Sequence, residues 1–338
     1  MFFAARDLYL YWTASLEDKI EEASGLEVDD PVQQLQDQLH EDVLEMGQTQ
    51  DRQQFEAHLR DTKNAAIPGE KVASITVASG KVYEVYTGRM EDEAVRQLHA
   101  RAQIFALFFI DGASYIDDED GEWIVYFVFE KRSDDSMLFA GYVTVYEYYA
   151  HPFQKRGRIS QFVLLPPQQK SGLGTKLLAA IYQHGIETYG FVDFTVEDPS
   201  EGFQAVRDRL DGARMLQAWR QEVAEGKGKE KQRASGTEGM TNSPATWERF
   251  KALALQQHIN RIQTRRLYEI LLRYHAEEEG DAAMRDYRLA IKMRLYARMQ
   301  NEGEQLPADK RKARLQELFE ILDTEYAAAV ASLKAKEK

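Results

Sequence analysis

Apolar and polar residues along this chain recur with two different periods, and each change of period marks the edge of an element. Leu8-Tyr9-Leu10-Tyr11-Trp12 is a short apolar run that reads as a strand, and the acidic, glutamine-rich stretch from Asp30 to Arg60 fits short helices and loops. Ile75, Val77, Val82, Tyr83, Val85 and Tyr86 flank Ser79-Gly80, the pattern of a hairpin over 71–86. Val95, Leu98 and Ala102 recur at helical spacing and predict a helix within 91–110. Trp123–Glu130 and Phe139–Tyr149 alternate with period two on either side of a polar turn, so both read as strands. On the second, Tyr142, Thr144, Tyr146 and Tyr148 share one face, and Val143, Val145, Glu147 and Tyr149 share the other. A strand over 159–165, a helix over 175–186 and a strand over 191–196 follow. Residues 225–246, rich in Gly, Lys, Ser and Thr, read as a flexible linker or insertion. From Trp247 the pattern is helical, with Ile262, Leu267, Ile270 and Leu271 on one face. Leu315, Leu318, Phe319, Leu322 and Tyr326 form an apolar stripe along a last helix of about 307–334.

The strand over 159–165 stops at Pro166-Pro167, because proline lacks the amide hydrogen and restricts its predecessor. Gly172 and Gly174 then let backbone approach a ligand closely, and the first-turn amides of the next helix point into the same space. A phosphate is what such a loop binds. The P-loop requires Lys-Ser or Lys-Thr after its last glycine, and here Thr175-Lys176 stands in the reverse order. The dinucleotide fingerprint requires a third glycine where Leu177 stands. What remains is Gln169-x-x-Gly172-x-Gly174.

Composition narrows the partners. With 338 residues the chain is long enough for two or three packed units. A net charge of −13 argues against nucleic acid and suits a cationic partner, although many soluble proteins are acidic. The absence of cysteine excludes disulfides, thiolate metal sites and a cysteine acyl-enzyme, so a group transfer is direct or passes through an oxygen nucleophile. No metal-ligand spacing is apparent, and His151 and His184 read as surface residues. Arg6 and Asp7 interrupt Met1-Phe2-Phe3-Ala4-Ala5, a poor signal peptide, and no run is long enough to span a membrane; an intracellular protein is expected.

The loop Gln169-x-x-Gly172-x-Gly174 resembles the pyrophosphate loop of the GNAT superfamily of N-acetyltransferases. Its flanks sharpen the likeness. Arg158-Ile159-Ser160-Gln161 before it, and Glu197-Asp198-Pro199-Ser200 with Arg207-Asp208-Arg209 after it, resemble the catalytic subunit of the type B histone acetyltransferases. Asn260–Leu271 and Asp286–Lys292 are similar to that family's C-terminal helical region. The resemblance implies a mixed α/β (α+β) N-acetyltransferase fold whose central sheet splays between the strands at 159–165 and 191–196. It also implies a small N-terminal mixed domain over 1–88, a core over 89–220, a linker over 221–246 and a helical bundle over 247–338.

Site residues follow from the same resemblance. Acetyl-CoA would meet the backbone of Phe162, Val163 and Leu164, which on pattern alone are buried strand, and that of Gln169, Lys170, Ser171, Gly172, Leu173 and Gly174. Ser200 and Arg209 would add further contacts to CoA. Tyr146, Glu147 and Tyr148 would line the groove for the tail of newly made histone H-four, although tyrosines on a strand also serve sheet packing. A WD-repeat histone chaperone is the implied partner, and nucleus and cytoplasm the implied location. The acidic lead-in expected before the first strand is missing, and any tail contact it makes is not expected here.

The chemistry needs a base. A lysine amine attacks a thioester only when neutral, and deprotonating it near pH 7 costs roughly 4–5 kcal/mol from a reference pKa of about 10.4. The candidate carboxylates are Glu197, Asp198 and Asp111. Asp198-Pro199-Ser200-Glu201 also reads as a helix start with Asp198 as the cap, which leaves Glu197 as first choice. The family's third acid falls on Asp111. An acetyltransferase for another protein amine, and a binding-only histone or CoA module, remain open alternatives.

Overall fold

The computed structural model describes residues 2–3, 8–9, 53, 56–57, 66–226, 239–301 and 307–335. The expected strand residues 10–12, nearly all of the helices expected over 30–60, and residues 227–238 of the expected linker lie outside these. By where their contacts lie, residues 1–191 with 195–198 form one compact unit, and 192–194 with 199–338 form another. This division differs from the expected boundaries at 88/89 and 246/247. The hairpin before residue 88 is paired into the main sheet, and the helix after residue 200 packs with the C-terminal helices.

In the first unit, β1 (Phe2–Phe3) pairs antiparallel with β2 (Leu8–Tyr9). The main sheet runs in the order β3 (Glu70–Thr76), β4 (Val82–Arg89), β5 (Trp123–Lys131), β6 (Met137–Ala150), β7 (Gln154–Leu164) and β8 (Phe191–Val196). Strands β3 to β7 pair antiparallel in chain order, with the predicted hairpin joining β3 to β4 and the predicted polar turn joining β5 to β6. Between β4 and β5 the predicted single helix is two, α1 (Glu93–Ala102) and α2 (Ile104–Phe109), broken at Gln103. Asp92 caps α1 by accepting from the amides of Ala94 and Val95.

Val95, Leu98, Ile104 and Phe105 of α1 and α2 pack on Val125, Phe127 and Tyr142. The opposite face of the sheet meets α3 (Leu173–Tyr189), where His184 Nδ1 lies 3.0 Å from the Tyr126 hydroxyl. His184 is therefore half-buried between the rings of Tyr126 and Tyr189 rather than on the surface, and burial lowers its pKa.

Two irregularities of β6 and β7 shape the site. Gly141 has φ +153°, and a Cβ there would sit 2.1 Å from the Val163 carbonyl oxygen, so only glycine lets the two strands approach. Opposite Thr144 the register slips, pairing Val143 with Phe162 but Val145 with Ile159, so Ser160 and Gln161 together face one residue. That is a β-bulge on β7. Gly141→Ala is expected to destabilise the unit by about 2–5 kcal/mol through clash and strain. A clear fall in the thermal unfolding midpoint is the check, and an unchanged midpoint would show that the strands can part there.

The second unit is helical: α4 (Glu201–Gly226), α5 (Pro244–Gln256), α6 (Arg261–Glu279), α7 (Asp281–Asn301) and α8 (Ala308–Ala335). Its core joins Trp219, Phe250, Tyr268, Leu271 and Val330. Phe319 and Tyr326 of the predicted stripe are buried, and Leu315, Leu318 and Leu322 pack against them. Ile262, expected on the packed face of its helix, is 83% exposed because it lies in the first turn of α6.

Candidate active site

The end of β7 and the start of α3 build a ready anion cradle. Pro166–Gln168 form a single 3₁₀ turn, and Gln169 Nε2 donates back to the Leu164 carbonyl at 2.8 Å. The chain reverses through Lys170 at φ 56° and Gly172 at φ 83°, with nothing within 4 Å of where a Gly172 Cβ would lie. Ser171 Oγ donates to the Gln168 carbonyl at 2.8 Å and accepts from the Leu173 amide at 3.3 Å. The first amide of α3 to reach a carbonyl of its own turn is that of Lys176, which bonds Gly172. The amides of Gly174 and Thr175 thus precede the intrahelical ladder and are directed along the helix axis, where they favour an anion. This open, left-handed, amide-lined loop suits a phosphate or diphosphate.

Beside the loop the sheet opens. Thr195 Oγ1 lies 3.5 Å from the Gly157 carbonyl, and the Glu197 amide donates to the Ile159 carbonyl at 2.9 Å. Both chains rise together through these contacts, so β7 and β8 run parallel. β8 ends at Val196, abreast of Ile159, while β7 continues through Phe162, Val163 and Leu164. β7 thus runs on past the end of β8 from the bulge onward, leaving residues 160–164 without β8 beside them.

Glu197 stands where the strands part. It is exposed, and Ser160 Oγ donates to its Oε2 at 2.7 Å. Asp198 follows at φ 33° and is also exposed. Its expected capping role is overturned: α4 begins at Glu201, and Ser200 Oγ accepts from the Phe203 amide at 3.2 Å. Ser200 is the cap because the turn at Asp198 carries that side chain away from the helix start. Asp111 is exposed in the loop after α2, and that loop is tied to β7 where Gln161 Nε2 donates to the Ser114 carbonyl at 2.9 Å.

Tyr146 and Tyr148 project from the α1–α2 face of β6. Tyr146 packs on Trp123 with ring centroids 4.9 Å apart, and a hydrogen bond to Asp120, with burial, raises its pKa. The Arg158 guanidinium lies 5.2 Å over the Tyr148 ring, and the Tyr148 hydroxyl is 3.3 Å from Thr195 Oγ1. Thr195 sits two residues before Glu197 on β8, so these groups form one wall leading to the carboxylate.

Glu147 points to the other face. Its carboxylate is buried, accepts from Arg89 Nη2 at 2.7 Å and is paired with Lys155. Burial opposes its ionisation, but the hydrogen bonds and charges of Lys155 and Arg89 outweigh that and lower its pKa. The structure therefore brings Tyr146 and Tyr148 together and separates Glu147 from them.

Ser200 and Arg209 belong to the second unit. Arg209 Nε donates to Ser332 Oγ at 2.8 Å, and its side chain lines a cavity of about 760 Å³ with Pro199, Gln204, Arg266, Ile321 and Glu325.

Trp123 and Thr195 carry no sequence signal of their own, and the bond from Ser160 to Glu197 depends on a parallel register that no local pattern reveals.

Comparison with known proteins accords with this geometry. The family model described as histone acetyl transferase HAT1 N-terminus matches residues 1–111, and that of the GNAT acetyltransferase family matches residues 85–206. The histone acetyltransferase type B catalytic subunit of Mycosarcoma maydis is 30% identical over 332 residues, covering 90% of this chain and 72% of that protein. The subunit of the same name from Dictyostelium discoideum is 32% identical over 271 residues, 75% of this chain and 55% of that one. That of Cryptococcus neoformans is 33% identical over 250 residues, 72% and 58% respectively. The chain thus spans from 55% to 72% of the length of these relatives. An aminoglycoside acetyltransferase structure from a soil metagenomic sample is 18% identical with a TM-score of 0.28, over 37% of this chain and 83% of that one, a likeness too slight to bear on function. A GNAT domain over 85–206 and a relative 30% identical over 72% of its length lead to one conclusion: the chain is an acyltransferase of the N-acetyltransferase fold and belongs to the family of type B histone acetyltransferase catalytic subunits.

Proposed function

We propose that this chain acetylates lysine side chains in the N-terminal tail of newly synthesised histone H-four, with donor and acceptor bound together and no covalent enzyme intermediate. The observation that carries the reading is Glu197, held at the mouth of a sheet that opens beside an anion-binding loop. The names of the relatives support histone as substrate, and a charge of −13 favours a lysine- and arginine-rich peptide.

Acetyl-CoA supplies the activated acyl group. The amides of the Gln169–Gly174 loop hold its diphosphate, the Phe162–Leu164 backbone runs along its arm, and Ser200 and Arg209 are proposed further contacts. The wall of Tyr146, Tyr148 and Trp123 receives the tail. Glu197 takes the proton of the incoming ammonium, with Asp198 next to it as the route to solvent and Asp111 as a further acid on the facing loop. Glu147 braces the strand between the two tyrosines. A WD-repeat histone chaperone is the proposed partner, and nucleus and cytoplasm the proposed location.

Incubation with labelled acetyl-CoA and core histones, followed by mass spectrometry of the products, is the test. Label on lysines of the H-four tail is expected. Label on a protein N-terminus would establish the other acetyltransferase reading, and CoA binding without transfer would reduce the chain to a binding module.

A further inference from the structure

We infer that Ser160 is a positioning residue for Glu197, and that the bulge on β7 is the device that aims this carboxylate; the inference rests on Glu197 being the base. Strand pairing alone does not produce the arrangement. In a regular ladder each residue of β7 would face one residue of β6, whereas here Ser160 and Gln161 share Thr144.

Side chains hold the extra residue in place. The Gln161 amide donates to Thr144 Oγ1 at 3.0 Å, and the Gln161 side chain is used at both ends. Its Oε1 accepts from the Tyr142 hydroxyl at 2.9 Å, and its Nε2 donates to the Ser114 carbonyl at 2.9 Å. Thr144, Tyr142 and Gln161 are all buried, so each of these bonds is expensive to lose. The two bulge residues therefore reach toward two of the three candidate acids: Ser160 bonds Glu197, and Gln161 bonds the loop that carries Asp111.

Glu197 is otherwise an exposed side chain with three rotatable bonds, free to sample rotamers that face solvent. One contact on the backbone and one on the carboxylate limit that freedom. Its amide is fixed on Ile159, and the Ser160 hydroxyl fixes Oε2 by a short, charge-assisted bond of 2.7 Å. Oε1 is left to accept the proton. The other ionisable groups on this wall are Asp198 beside it, Arg158 on β7, and Tyr146 and Tyr148 on β6. None of them is seen bonded to the Glu197 carboxylate among the described residues.

Steady-state kinetics with acetyl-CoA and an H-four tail peptide test this. Ser160→Ala is expected to lower kcat by about ten- to a hundredfold, as misplacement of a reacting group does, with KM for acetyl-CoA and the unfolding midpoint near wild type. Ser160→Thr, which keeps the hydroxyl, is expected to restore most of the turnover. In a Glu197→Gln background Ser160→Ala is expected to add no further loss, because its effect passes through that carboxylate. Thr144→Val, which touches neither substrate nor Glu197, is expected to give a smaller loss of the same kind by loosening the bulge. Wild-type kcat in Ser160→Ala, or an equal loss in both backgrounds, would overturn the inference. Wild-type turnover by Glu197→Gln alone would instead remove the base, and the positioning role with it.

Discussion

Glu197→Gln is expected to lower kcat for tail acetylation by about 10²–10⁴-fold, the contribution typical of a positioned general base, with acetyl-CoA affinity near wild type. The geometry accounts for both halves of that result. The carboxylate lies at the open end of β8, bonded through Oε2 to Ser160, and the anion-binding loop is built from a different segment, 169–174. Gln keeps the size of the side chain and an acceptor oxygen for Ser160, so the fold and the donor site are left intact while the ability to take a proton is lost. The measurement is a pair of titrations, initial rates against peptide and calorimetric binding of acetyl-CoA. Equal loss in both would mean that Glu197 supports the site as a whole rather than the proton transfer, and Asp198 would then be the acid to test.

Gly174→Asp is expected to abolish acetyl-CoA binding without unfolding the chain. Gly174 is the second residue of α3, a position where a carboxylate favours the helix dipole, so the helix itself tolerates the change. The ligand does not. A negative charge about 4 Å from a phosphate, near a protein surface, is unfavourable by about 4 kcal/mol, roughly a thousandfold in Kd. Gly174→Ala separates bulk from charge and is expected to bind measurably. Calorimetry with acetyl-CoA decides the matter, and retained affinity in the Asp variant would place the diphosphate elsewhere.

Much of this site was legible in the residues. Pro166-Pro167 ended a strand for want of an amide hydrogen, and Gly172 turned the phosphate loop at φ 83°, where a Cβ would be strained. The alternation on β6 correctly divided Tyr146 and Tyr148 from Glu147, because period two follows from the geometry of a single strand. It gave no sign that Glu147 would be enclosed by Arg89 and Lys155, since those partners come from β4 and β7. The Asp198 cap was a locally sound reading that failed for a similar reason. Asp-Pro-Ser-Glu offers two oxygen side chains able to cap a helix, and the turn at Asp198 selects Ser200.

By its sequence alone this protein determined its strands, its glycine loop, its helical C-terminal region and the presence of adjacent carboxylates after a strand, because propensity, periodicity and turn chemistry act over a few neighbouring residues. Only the tertiary structure decided where β7 and β8 part, which acid the Ser160 hydroxyl holds, and which tyrosines stand beside it. Those depend on register between strands, a slip of one residue opposite Thr144 and the close approach at Gly141. Such features are set by the packing of segments distant in the chain, and no local pattern encodes them.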